Sequence, residues 1–129
     1  MRIVLERTAA ELAANHGTEA EFDTLDRLND KIAALSDDAA GAAAVNADFH
    51  RTLYRAGRNR FLLESARALN NALLLLGPTT YTDADRIDAV TAQHRDIVDA
   101  MRAADQAAAG AAAEAHLQTS LRVRLRGLA

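Results

Sequence analysis

Apolar residues recur along the chain at spacings of three and four, the period of an α-helix with one buried face. The pattern is clearest in one segment where Phe22, Leu25, Leu28, Ile32 and Leu35 form a continuous stripe. Residues that cap or end helices separate six such segments. The sequence therefore predicts an all-α fold, with helices at about residues 2–15, 18–35, 39–56, 60–76, 83–104 and 106–126.

Local signals mark where these helices begin and end. Thr18 with Glu21 three residues later is a capping box, and Asn59 and Asp105 are suitable N-caps for the fourth and sixth helices. The pair Gly77 and Pro78 stops the fourth helix, because proline lacks the amide hydrogen that the next turn needs. Residues 79–82 are then predicted to be a loop.

Composition limits the size and class of the protein. Half of the 129 residues are hydrophobic, which is enough for one apolar core, so we expect a single domain. There is no cysteine, which excludes disulfides and thiolate metal sites. The longest apolar run, residues 72–76, is far too short to span a membrane, and the N-terminus has no signal-peptide core. A soluble, cytoplasmic protein is the simplest interpretation.

The net charge of −3 argues that this segment does not itself bind DNA, because duplex binding depends on a concentrated basic surface. The one basic cluster, Arg122, Arg124 and Arg126, spreads around its predicted helix instead of forming a stripe. We therefore expect these arginines to be solvated.

The positions of the histidines are the most informative feature of the sequence. Asn46 and His50 lie one turn apart on the inner face of the third predicted helix. His94 continues the apolar stripe of the fifth helix, and His116 lies at the margin of the apolar face formed by Leu117, Leu121 and Leu125 in the sixth. The pattern thus directs three imidazoles and one amide toward the interior.

A lone histidine on an apolar face is commonly a hydrogen-bonded core residue. Three imidazoles buried together without a shared partner would instead leave polar groups unsatisfied, at a cost of about 1–3 kcal/mol each. A bound metal ion would satisfy them, and a nitrogen and oxygen donor set without thiolate suits zinc, nickel, iron or manganese. Coordination positions left open could accept carboxylate oxygens of a small ligand.

Residues 46–62 (NADFHRTLYRAGRNRFL) resemble the signature of the FCD domain, the C-terminal sensor of the FadR subfamily of GntR transcription regulators. That signature pairs an acidic or amide residue with Phe-His one turn later, followed by a Gly-Asn helix break. Residues 2–6 (RIVLE), 93–97 (QHRDI) and 115–117 (AHL) are similar to the family's opening helix and to its second and third histidine segments. The resemblance covers essentially the whole chain in order.

The resemblance implies an antiparallel bundle of six or seven helices around a central pocket where Asn46, His50, His94 and His116 bind a divalent metal. It also implies a homodimer, a small organic acid as effector, and a winged-helix DNA-binding domain that precedes this segment in the full protein. Arg2 matches a position that often faces the pocket, where it could pair with an effector carboxylate; a surface arginine is the alternative. Many members carry Asp where this chain has Asn46.

Other interpretations remain open from sequence alone. A metal held by three histidines could serve an enzyme, but no acidic residue is placed by motif beside the histidines as a general base. No His-Glu-x-x-His motif is present, which removes the common zinc peptidase pattern, and no Glu lies three residues before a histidine, which disfavours a di-iron bundle. We therefore expect no enzymatic activity. A plain helical dimerisation module with core histidines is the third possibility. Asn70 and Asn71 are further candidates for lining a cavity, and Asp48 and His16 are expected to be exposed.

Overall fold

The computed structural model describes the backbone of residues 2–73 and 84–128 and the side chains of residues 2–69 and 85–125. This part of the chain contains six helices and no strand, which confirms the predicted all-α class. The helices are α1 (Arg2–His16), α2 (Glu19–Ala34), α3 (Ala39–Ala56), α4 (Arg60–Leu73), α5 (Ala84–Arg102) and α6 (Gln106–Leu128). Residues 74–76 of the fourth predicted helix, the Gly77 and Pro78 stop and the loop at 79–82 lie outside the described residues.

The predicted caps are present. The Thr18 hydroxyl accepts a hydrogen bond from the Glu21 amide, and the Glu21 carboxylate accepts one from the Thr18 amide, which completes the capping box of α2. Asn59 Oδ1 accepts hydrogen bonds from two amides of the first turn of α4, and Asp105 Oδ1 accepts one from the first turn of α6. Helix boundaries could therefore be predicted to within about two residues wherever a capping side chain was present.

Small side chains let α1 pack closely against its neighbours. Ala9, Ala10 and Ala13 are fully buried where α1 packs against α6 and α3. Helix α2 packs between α3 and α5, and α5 packs on α6, so that α3, α5 and α6 surround the interior into which the histidines point. None of the helices in the described ranges combines the length and the hydropathy needed to cross a bilayer.

One expectation about α6 is wrong. Leu121 and Leu125 are 48% and 56% exposed, so they do not continue an inner face from Leu117. The buried face of α6 consists instead of Ala109, Gly110 and Ala113 together with His116 and Leu117. The cause is that α6 packs against α1 through alanines. Apolar periodicity alone did not show whether the alanines or the leucines of α6 form the buried face.

Gly17, which ends α1, is required for steric reasons. A Cβ atom at this position would lie 2.6 Å from the Ala13 carbonyl oxygen and 2.6 Å from the Phe22 ring, so Gly17→Ala cannot be accommodated without moving the turn. We expect this substitution to lower the free energy of unfolding by about 1–3 kcal/mol, as overpacking does. Urea denaturation measures the change, with the exposed turn substitution Ser36→Ala as the control. Equal stability of Gly17→Ala and the parent would contradict the steric argument.

Candidate metal centre

The structure brings His50 of α3, His94 of α5 and His116 of α6 together in the core. The three residues are 5%, 0% and 2% exposed, and one ring nitrogen of each lies within 4.8 Å of the other two. His94 Nε2 lies 3.2 Å from His116 Nε2. Imidazoles from three distant stretches of the chain thus share one small volume.

The orientation of the His94 ring is determined by Asn29 of α2. The Asn29 amide nitrogen donates to the Thr91 carbonyl oxygen at 2.9 Å, so its oxygen must be the atom that lies 3.0 Å from His94 Nδ1. His94 Nδ1 therefore carries the hydrogen and donates it to Asn29. As a result, the neutral ring presents a lone pair at Nε2.

The other two rings are oriented in the same way. His50 Nδ1 donates a short hydrogen bond to Oε1 of Glu6, a carboxylate of α1 that is 1% exposed. His116 Nδ1 lies 2.6 Å from the Gln93 side-chain oxygen. In all three histidines the Nδ1 atom is paired with an oxygen outside the cluster, and the Nε2 atom is the one left to face the cluster.

This arrangement fits a metal ion. Two imidazole lone pairs 3.2 Å apart repel each other, whereas two nitrogens on one ion at a metal–nitrogen distance of 2.0–2.1 Å lie about 3.0–3.4 Å apart. Moreover, His50 Nε2 and the side-chain oxygen of Asn46 are both buried atoms without a hydrogen-bond partner. A cation among the three rings would satisfy His50 Nε2 and remove the repulsion between the lone pairs of His94 and His116.

The electrostatic environment keeps the imidazoles neutral. Burial lowers the pKa of His50 and of His94 well below the ordinary value of 6.5, and the neighbouring histidines lower it further. Burial, together with the positive charges of Arg86 and Arg2, lowers the pKa of His116 to about 3. Neutral imidazole is the form that binds metal, so these rings need not lose protons at pH 7 before an ion binds.

Phe49 forms an apolar wall beside the cluster. Its ring stacks on that of His94, with centroids 3.9 Å apart and an angle of 9° between the planes. Because Phe49 is fully buried, it keeps water from one face of His94 and helps fix the plane in which Nε2 points. The adjacent residues Phe49 and His50 of α3 thus both contribute to the centre, His50 as a member of the cluster and Phe49 by packing on His94 of α5.

Other residues named from the sequence have different surroundings. Arg2 lies at the start of α1, with its side chain 34% exposed and its Nε atom 4.0 Å from Glu6 Oε2. Asp48 is exposed and pairs with Arg51, and His16 is exposed, as expected. Asn70 and Asn71 lie outside the residues whose side chains are described.

Sequence reasoning missed the residues that orient the rings, namely Glu6, Asn29 and Gln93. A signal existed for Asn29, which occupies a core position of α2 between Leu25 and Ile32. A polar side chain on an otherwise apolar stripe indicates a buried partner. Glu6 and Gln93 carried no such signal, because each has a polar residue next to it in the sequence and so does not interrupt an apolar stripe.

Arg86 of α5 is a buried cation that the sequence pattern also did not reveal. It is 8% exposed, its Nη2 atom donates to the Ser120 hydroxyl of α6 at 2.9 Å, and its charge lowers the pKa of both His94 and His116. Arg86 therefore adds positive potential to the side of the cluster formed by α5 and α6.

Comparison with known proteins identifies the family and the fold. The family model of the FCD domain matches residues 1–119. The chain belongs to the FCD domain family, which confirms the resemblance of its sequence to that domain. No curated protein sequence matches the chain.

Among solved structures, the chain is similar to E. coli McbR/YncC, with a TM-score of 0.80 and 16% sequence identity. The alignment covers 98% of this chain and 65% of that one, so the chain spans less than two-thirds of the length of the neighbour. At this identity the likeness concerns the fold, an all-α bundle.

Proposed function

We propose that this chain is the ligand-sensing domain of a GntR-type transcription regulator of the FadR subfamily, and that it binds a small organic acid at a divalent metal ion. The metal ligands would be Asn46, His50, His94 and His116. The observation that carries the proposal is that three buried imidazoles direct their unprotonated nitrogens at one another within an FCD domain.

The donor set explains how an organic acid would be recognised. Neutral imidazole and amide ligands bring no negative charge of their own to a divalent ion, which therefore attracts an anion. Four protein donors around zinc, nickel, iron or manganese also leave positions that carboxylate oxygens could occupy when the ion accepts five or six ligands. The metal supplies this Lewis acidity when bound, and the rings hold it in a water-poor setting.

Arg2 is proposed to contact the bound acid. Its positive charge lowers the pKa of both His50 and His116, so the guanidinium lies within electrostatic reach of the rings. A guanidinium presents two parallel N–H donors that match a carboxylate. Partial exposure of Arg2 leaves it able to move toward a ligand at the cluster.

Binding of an acid would transmit a signal by drawing helices together. The three histidines come from α3, α5 and α6, so a ligand that completes the metal coordination stabilises one arrangement of these helices. In a homodimer in the cytoplasm, that shift would reposition the winged-helix domains proposed to precede this domain. Its extent is limited by the difference in the ligand's affinity for the two arrangements.

The site favours sensing over catalysis. A metal-dependent hydrolase needs a general base near the metal-bound water. Glu6, the acidic side chain closest to the rings among those described, is hydrogen-bonded to His50 Nδ1 on the side away from the cluster. It therefore cannot accept a proton from water at the ion.

Elemental analysis of protein purified without a metal-affinity tag, followed by thermal-shift measurements with small carboxylic acids, tests the proposal. We expect close to one metal ion per chain and acid-dependent stabilisation that chelation abolishes. Arg2→Ala should weaken acid binding about 10- to 100-fold, because a charged hydrogen bond contributes about 1.5–3 kcal/mol, and should retain the metal. Arg51→Ala, an exposed arginine paired with Asp48, is the matched control.

Protein that contains no metal and does not respond to added metals or acids would show a plain dimerisation module instead. Conversion of a bound acid into a product would show an enzyme. Either result would refute the sensing role.

A further inference from the structure

The proposed ligands carry no negative charge. Three neutral imidazoles and one amide oxygen leave a divalent ion uncompensated in a site where the rings are at most 5% exposed. An isolated charge in such surroundings is costly unless an opposite charge lies nearby. An anion held by the protein near the rings would compensate part of this charge when no effector is bound.

Glu6 is the one buried acidic residue among the side chains that the structure describes. Its Oε1 atom accepts the hydrogen bond from His50 Nδ1, and its Oε2 atom accepts one from the Tyr54 hydroxyl at 3.2 Å. Burial raises the pKa of Tyr54 to about 12, so this hydroxyl stays protonated and remains a donor. The carboxylate is thus fixed on both oxygens and points at a proposed metal ligand.

We propose that Glu6 is the charge-compensating and positioning residue of the metal centre. This inference rests on the proposed function, because it assumes that His50 binds the ion through Nε2. A carboxylate that accepts the Nδ1 hydrogen makes the imidazole a more basic ligand and fixes its tautomer and orientation. The negative charge of Glu6 would then act on the ion through the ring of His50. Asn46 cannot supply this charge, because its amide is neutral.

The assignment also makes α1 part of the centre. Helix α1 supplies none of the four proposed metal ligands, yet it packs against both α3 and α6, which carry two of the three histidines. Glu6 connects α1 to the proposed ligand His50 by a single hydrogen bond. Loss of its charge should therefore lower metal affinity even when all four proposed ligands are intact.

Zinc affinity, measured by competition with a chelator, tests this role in the whole chain. Glu6→Gln keeps the side-chain shape and an oxygen that can accept from His50, but removes the charge. We expect zinc to bind about 10- to 100-fold more weakly, the usual effect of losing such an outer partner. Glu11→Gln on the same helix, where the carboxylate pairs with Arg7, is the matched control and should bind zinc like the parent.

A rescue variant separates charge compensation from a merely structural role. Asn46→Asp adds a carboxylate to the proposed ligand set, so the double variant Glu6→Gln/Asn46→Asp should recover at least about tenfold of the lost affinity. No recovery would show that Glu6 acts through structure alone and would overturn the proposal. If Glu6→Gln does not fold, Glu6→Asp withdraws the charge from His50, and zinc binding equal to that of the parent would overturn the proposal.

Two further readouts keep the possible failures apart. A parent protein that does not bind zinc refutes the proposed function, whereas a parent and a Glu6→Gln variant that bind zinc equally refute only the role of Glu6. The absorption spectrum of the cobalt-substituted protein should have the same band positions in the parent and in Glu6→Gln. A change in the number of donors would show that Glu6 is itself a ligand, which would also overturn the assignment.

Discussion

Replacement of His94 by alanine is expected to weaken zinc binding by about 100- to 1,000-fold, because four-ligand zinc sites bind with about 10–16 kcal/mol and one ligand contributes roughly a quarter of this. His94 is the fully buried member of the cluster, its Nε2 atom lies 3.2 Å from that of His116, and Asn29 and Phe49 fix its ring. Removal of this ring leaves two of the three imidazoles that the structure brings together.

The measurement is stabilisation by zinc, which for a ligand present at 100 times its dissociation constant amounts to about 2.7 kcal/mol. This stabilisation should be almost lost in His94→Ala at the same zinc concentration, while circular dichroism shows that the helices persist. His16→Ala, in which the substituted ring is exposed at the end of α1, is the control and should respond to zinc like the parent. A His94→Ala variant stabilised to the same extent as the parent would remove His94 from the metal centre.

The helices could be predicted from the sequence because their signals are local. A capping residue such as Thr18 or Asp105 acts within one turn of its own position, so the sequence contains both partners of the interaction. The exposed leucines of α6 show where this reasoning fails. Whether Leu121 is buried depends on which helix packs beside it, and apolar spacing does not encode that choice.

In the candidate site, too, one part could be predicted from the sequence and another could not. Helical spacing placed His50, His94 and His116 on inner faces, and the structure brings these faces together. The partners of their Nδ1 atoms were not predictable, because Glu6 and Asn29 lie 44 and 65 residues from the rings that they contact. Such pairs form only through tertiary packing, and the surrounding sequence does not record them.

These long-range pairs extend the centre beyond the helices that carry the histidines. Glu6 attaches α1 to His50, and Asn29 attaches α2 to His94, so five of the six helices contact the cluster directly or through one hydrogen bond. A ligand that changes the position of one ring therefore acts on most of the bundle. This connectivity is the physical basis for a domain that reports occupancy of its core to its outer surfaces.

The metal-free domain is expected to lose stability steeply as the pH falls below about 6.5, the pKa of histidine in an unfolded chain. The pKa of each buried imidazole is lower in the folded domain than in the unfolded chain, and that of His116 is about 3. Between these values the unfolded chain binds protons that the folded domain excludes, so stability is complete above pH 6.5 and is lost toward pH 3.

Each such histidine contributes about 1.4 kcal/mol per pH unit, and three contribute up to about 4 kcal/mol per pH unit. A domain with a stability of about 5–10 kcal/mol, in the lower part of the ordinary range, should therefore unfold at about pH 4 to 5.5 in the absence of metal. Urea denaturation as a function of pH measures the slope. His116→Gln should reduce it by about 1.4 kcal/mol per pH unit, whereas His16→Gln, at an exposed position, should leave it unchanged.

Zinc should shift acid unfolding to lower pH, because the ion competes with protons for the same Nε2 lone pairs and binds only the folded domain. The shift should be absent in His94→Ala, which links the two predictions through one set of atoms. A metal-free domain with no pH dependence between 6.5 and 4 would mean that the imidazoles reach water or partners that accept their charge. That result would contradict both the neutral state of the buried imidazoles and the metal centre proposed from them.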